Sequence, residues 1–130
     1  MGGALVYALG GESAKARAFA ERALRLSPFD PMAWHARLCL GYAALLEDHL
    51  DEAISHYAAA VHLNPQFGSL HAVHAMALAL AGRMEEAGSV VRKTLEVDPS
   101  FRIGPILQMV HDPAFAEKLR RGMRLAGLPE

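Results

Sequence analysis

The chain runs to 130 residues, and its 13 Lys and Arg almost balance 14 Asp and Glu, leaving a formal net charge of −1. Nucleic acid and anionic membrane surfaces both need a clear excess of basic side chains, so neither is expected as a partner; the single Cys39 excludes an intrachain disulfide and fits a reducing, cytoplasmic setting. The 52% hydrophobic share is rich in alanine and sparse in β-branched and aromatic residues, which leans all-α and away from a sandwich or barrel.

At the N-terminus, residues 1–10 lack the basic start of a signal peptide, and no apolar run approaches the roughly 20 residues of a membrane span. Residues 2–9 are too short for a full first helix, so the chain reads as a piece of a longer protein. Gly11 tolerates a left-handed backbone and can end that helix. Residues 14–28 (AKARAFAERALRLSP) then place Ala16, Ala20 and Ala23 on one helical face, closed by Pro28. In the following segment Asp30 can cap the next helix, with Pro31 in its first turn.

That helix carries Gly41 and ends near Asp48. Its partner, residues 51–65 (DEAISHYAAAVHLNP), repeats the earlier block with Ala53, Tyr57, Ala60 and Pro65. A third block, residues 85–99 (EEAGSVVRKTLEVDP), supplies Ala87, Val91, Thr94 and Pro99 after a turn at Gly82. In every block the alanine precedes the proline by twelve residues, and Pro65 and Pro99 stand 34 apart. Twelve positions before each alanine lie Ala4, Gly41 and Ala75, small enough for the closest crossing of two antiparallel helices. The prolines bias Ser27, Asn64 and Asp98 out of helical geometry. Hairpins are thus predicted near residues 2–26, 34–63 and 68–97.

Beyond Pro99 the pattern restarts over residues 101–110 and is broken by Gly104-Pro105. Asp112-Pro113 then reads as cap and first turn, and Gly127 as a stop. Between them Phe115, Leu119, Met123 and Ala126 make an apolar stripe, so residues 113–126 are predicted as a terminal helix covering the last apolar face, the exposed side of the third hairpin with residues 101–110.

The order of large, small, Ala, aromatic and Pro positions resembles the tetratricopeptide repeat; Leu40-Gly41, Ala53-x3-Tyr57 and Pro65 match it best. The third repeat departs from it, with His74-Ala75 for Leu-Gly and Val91 for the aromatic. The resemblance implies an all-α fold, a TPR-like right-handed superhelix of antiparallel helix pairs with a C-terminal capping helix. It implies one domain over residues 1–130, with repeats at about 1–30, 34–67 and 68–101 and an extension with the capping helix over 102–130. It also implies that the first helix of each repeat lines a concave groove. In the second repeat these residues are His35, Leu38, Tyr42, Leu45 and Leu46; in the third, Ser69, Ala72, Met76, Ala79 and Leu80. This lining is apolar, unlike the Lys/Asn carboxylate clamp of chaperone-binding members. An amphipathic helix or extended apolar segment is therefore the expected ligand, and the chain's own terminal helix or a second copy could equally fill the groove.

No enzymatic chemistry is expected. Phosphate loop, nucleophile elbow and HExxH motifs are missing. His71 and His74, three apart, could reach one ion, but a closed zinc site needs two more ligands. They read as ordinary histidines, and no cofactor or metal is expected. Cys39 reads as a buried structural thiol. Asp51-Glu52 and Glu85-Glu86 sit where the helix dipole favours negative charge, and Arg25 and Arg92-Lys93 are placed toward helix ends for the matching reason. Lys118, Arg120, Arg121 and Arg124 read as the solvated outer face of the terminal helix.

The expected function is a non-catalytic protein-interaction scaffold, with self-association as one form of partnership. Residues 25–31 (RLSPFDP) and 121–130 (RGMRLAGLPE) also resemble the C-terminal repeat regions of predicted bacterial class III adenylate/guanylate cyclases. That resemblance implies the alternative: a regulatory or oligomerisation domain of a larger signalling enzyme, without catalytic residues of its own.

Overall fold

A computed structural model describes residues 5, 8 and 10–130. Among these the chain is all-helical, without strands. The helices are α1 (Ser13–Leu26), α2 (Ala33–Leu46), α3 (Leu50–Leu63), α4 (Gly68–Leu80), α5 (Met84–Val97), the short α6 (Gly104–Gln108) and α7 (Pro113–Ala126). The start of the first predicted hairpin, with Ala4, lies outside the described residues. Among the described residues no helix is long and apolar enough to cross a membrane.

Consecutive helices from α1 to α5 pack side by side, and α7 returns to pack mainly on α4. The doubling-back is set at three turns. Asp48 (φ 60°) and Gly82 (φ 81°) take the left-handed conformation. Each donates its N–H three residues back, to Leu45 at 3.1 Å and Ala79 at 3.0 Å. The next residues, His49 and Arg83, donate to Ala44 and Leu78, both at 2.9 Å. This paired closure satisfies the last carbonyls of α2 and α4 and reverses the chain at once. Gly11 is left-handed too, at φ 84°. Ahead of the prolines, Ser27, Asn64 and Asp98 leave helical geometry with φ of −145°, −143° and −136°, as expected of residues preceding proline.

Two local expectations need adjusting. Asp30 does not cap the helix: it accepts from Met32 N at 2.7 Å within a preceding turn, and regular helix begins at Ala33 with Met32 in the cap position and no side-chain cap bond. Gly104-Pro105 opens α6 rather than breaking a helix: proline needs no N–H donor in a first turn. Asp51, Glu52, Glu85 and Glu86 do occupy first turns, and Arg25 a last turn. Arg92 and Lys93 do not reach the last turn of α5; they pair locally with Ser89 and Glu96.

Packing in the hairpins depends on small residues at the crossings. Ala16, Ala53, Ala75 and Ala87 are all fully buried. Gly41 lies against the ring of Tyr57, close enough that a Cβ there would overlap the ring, with even Cζ only 2.9 Å away. Arg17 fastens α1 to the α2–α3 turn, donating to Glu47 at 2.7 Å and Glu52 at 2.6 Å. These two carboxylates raise the Arg17 pKa further.

Gly41→Ala should therefore destabilise by about 1–3 kcal/mol through overpacking, outweighing alanine's helix-propensity gain of up to about 1 kcal/mol. Gly88→Ala is the control: its Cβ would meet only Arg92 Nη1 at 3.9 Å, so it should stabilise by about 0.5–1 kcal/mol. Urea midpoints of the two variants check both signs.

Candidate functional site

The first helices of the second and third hairpins, α2 and α4, share a face with α7. Asp112 accepts from Phe115 N at 2.9 Å and Pro113 fills the first turn, which starts α7 where the sequence predicts. At its end Gly127 (φ 94°) makes the same paired closure as the hairpin turns, with Leu128 N reaching Met123 O at 3.1 Å. Ile103 N donates to Pro129 O at 3.0 Å and pins the tail.

Phe115, Leu119, Gly122 and Met123 form the buried stripe of α7. Phe115 meets Tyr42 edge-to-face, with ring centroids 5.8 Å apart. A Cβ on Gly122 would stand 2.6 Å from Met76 Cγ and 2.9 Å from Leu80 Cγ, so only glycine allows this approach. Lys118 Nζ donates to Leu45 O at 2.7 Å and to the Asp48 carboxylate. It sits at the C-terminal end of α2, where the helix dipole favours a cation, and it holds the Asp48 carboxyl below the usual range.

The terminal helix therefore packs on the third hairpin, as chain order predicts, and on its first helix above all. It lies mainly on α4, with only minor contact to α5 and α6. What chain order did not predict is its reach to Tyr42 and Leu45 of α2. Lys118, expected on the outer face, is turned inward instead. Arg120 and Arg124 are on that face, pairing with Glu117 and Glu130.

The expected groove residues accordingly divide. Tyr42, Leu45, Ala72, Met76 and Ala79 are buried, and Leu46 and Leu80 half-buried. His35, Leu38, Tyr42 and Ser69 line an open cavity of about 200 Å³ beside them. Its other walls are Leu5, Trp34, Phe67, Leu70, Ile106 and Met109, which sequence reasoning missed. Trp34 and Phe67 meet edge-to-face at 5.6 Å. A lone tryptophan at a helix start was a usable signal, whereas nothing local in residues 101–110 pointed Ile106 and Met109 toward α2. Burial lowers the His35 pKa, so its ring is neutral near pH 7 and offers a hydrogen bond rather than a charge.

Several of the remaining reactive groups have partners within the fold. His71 Nε2 lies 2.8 Å from Pro65 O, which ties it to the preceding loop instead of to His74. His56 Nε2 sits 3.3 Å from Glu52, and its Nδ1 3.4 Å from Arg37. Burial pushes the Cys39 thiol up to about 12, far from a reactive thiolate. Among the described residues Glu47, His49 and Glu52 converge closely enough for a metal, but both carboxylates already hold Arg17. No protein-family model and no curated protein matches this chain.

Ending the chain after Val110 should strip the apolar face of α4. Phe115, Leu119 and Met123 each bury surface worth about 1.5–3 kcal/mol before entropy is subtracted, so a large loss of stability or aggregation should appear in thermal melts.

Acid should also weaken the fold. Burial, with smaller contributions from His71 and Arg83, lowers the His74 pKa below 6.5, and burial does the same for His56. Both are neutral at high pH in folded and unfolded chains, so they contribute nothing there. As pH falls through 6.5 the unfolded chain protonates first, and stability drops. Melting temperatures between about pH 7.5 and 5.5 should fall less steeply in a His56→Gln/His74→Gln variant.

Proposed function

We propose that this chain is a non-catalytic protein-interaction scaffold, a TPR-like right-handed superhelix of antiparallel helix pairs that takes an apolar helix or extended segment on its concave face. The repeats would span about residues 1–30, 34–67 and 68–101, with the extension over 102–130. One observation carries the reading: the face of α2 and α4 already holds an amphipathic helix, α7, through an aromatic contact, a glycine-sized approach and a lysine at a helix end. That arrangement is a working example of helix-in-groove recognition within one chain.

The open cavity beside α7 is the part of the same face left for a partner. Three aromatic rings and five aliphatic side chains wall it, with His35 and Ser69 as polar points that can orient a ligand. A role as the regulatory or oligomerisation module of a larger signalling enzyme would use this same face. The reading frame upstream of residue 1 decides whether such an enzyme exists.

Peptides selected from a random library on the full chain should share a large apolar anchor. Filling the cavity by Ser69→Phe should weaken them at least about tenfold, as loss of an anchor pocket does. If no selected peptide responds to that change, the cavity is not the binding site.

A further inference from the structure

Resting on that reading, we infer that the cavity takes Phe29 from a second copy of this chain. Phe29 is 96% exposed, and Leu26 beside it is 73% exposed. Single exposed apolar residues are ordinary, but this one is held out on a stiff support. Pro28 and Pro31 flank the tip. Asp30 N donates to Ser27 O at 3.2 Å, Met32 N to Asp30 Oδ1 at 2.7 Å, and Ala33 N to Asp30 O at 2.9 Å. The ring is thus presented to water by a loop that is already ordered, so little conformational entropy is lost when it docks.

The hole matches the knob. About 200 Å³ is less than the roughly 300–1,000 Å³ of small-molecule sites and suits one aromatic ring. Trp34, Tyr42 and Phe67 in its wall provide edges and faces for such a ring. Phe29 does not fill the cavity of its own chain: nearly all of its surface is in solvent.

Knob and hole also lie at the same end of the hairpin stack. Phe29 precedes the start of α2, while Trp34 and Phe67 stand at the starts of α2 and α4. Two copies meeting end to end about a twofold axis can each place Phe29 in the other's cavity, an isologous exchange that closes at the dimer. Met32, Phe67 and Met109, each 42–53% exposed, would be covered around it. A formal net charge of −1 leaves little repulsion between copies.

Sedimentation equilibrium of the full chain tests this between about 5 and 500 µM, the range of a small, weak interface. The wild-type mass should climb from 14.0 kDa toward twice that value. Phe29→Ala and Ser69→Phe should each stay monomeric. Mixed in equal amounts they should recover part of the association, since one keeps the hole and the other the knob. Trp34, the one tryptophan, should shift its emission with concentration in the wild type and not in Phe29→Ala. A wild type that stays monomeric, or a Phe29→Ala variant that associates like the wild type, overturns the exchange. In either case N-acetyl-phenylalaninamide separates the two ideas. If it shifts Trp34 emission in the wild type but not in Ser69→Phe, the cavity still binds apolar side chains and only the self-partner is wrong; if it shifts neither, the binding reading falls as well.

Discussion

The ring of Tyr57 lies where a side chain on residue 41 would have to be, and much of the molecule follows from that contact. Glycine at 41 lets α2 and α3 close onto each other, and the fully buried Tyr57 ring then meets Tyr42 edge-to-face at 5.8 Å. Tyr42 in turn meets Phe115 of α7 at 5.8 Å and forms part of the cavity wall. A chain of rings thus connects the tightest helix crossing with the seat of the terminal helix and with the open site. Interiors packed this densely transmit displacement, so the shape of the cavity is tied to the crossing of α2 and α3.

That coupling also bears on what the protein can bind. A repeat array leaves apolar faces at its ends and along its inner side, since no unit buries its own. Here α7 covers part of α4 and leaves the cavity at the starts of α2 and α4 open. What stays open is small, aromatic and nearly uncharged. On the proposed reading it would take one large side chain, and its lining provides no Lys or Arg to anchor an acidic tail. His35, held neutral by burial, and Ser69 add hydrogen-bonding capacity without adding charge.

The hairpins were legible because their determinants are local. Asp48 and Gly82 mark left-handed turns by residue type alone, and Pro65 and Pro99 end helices through the geometry of the preceding peptide. The bounds of α7 were legible for the same reason: Asp112, Pro113 and Gly127 act on their immediate neighbours. Four of the ten residues lining the cavity were also readable. His35, Leu38, Tyr42 and Ser69 were placed on it by repeat alignment, whereas Ile106 and Met109 arrive from a segment with no repeat partner.

By itself, then, the sequence determined where helices begin and end, where the chain reverses, and which stripes on each helix are apolar. All of these depend on interactions a few residues long. Tertiary structure decided which stripe meets which. Several apolar surfaces were available to Phe115, Leu119 and Met123, and burial as such does not distinguish between them. The choice fell to features that exist only once α2 and α4 stand side by side: the Met76 and Leu80 side chains that accept only glycine at 122, and the carbonyl of Leu45 turned toward Lys118. Packing shape and the part-buried hydrogen bond of Lys118 to Leu45 are directional where hydrophobic burial is not, and neither can be read one helix at a time.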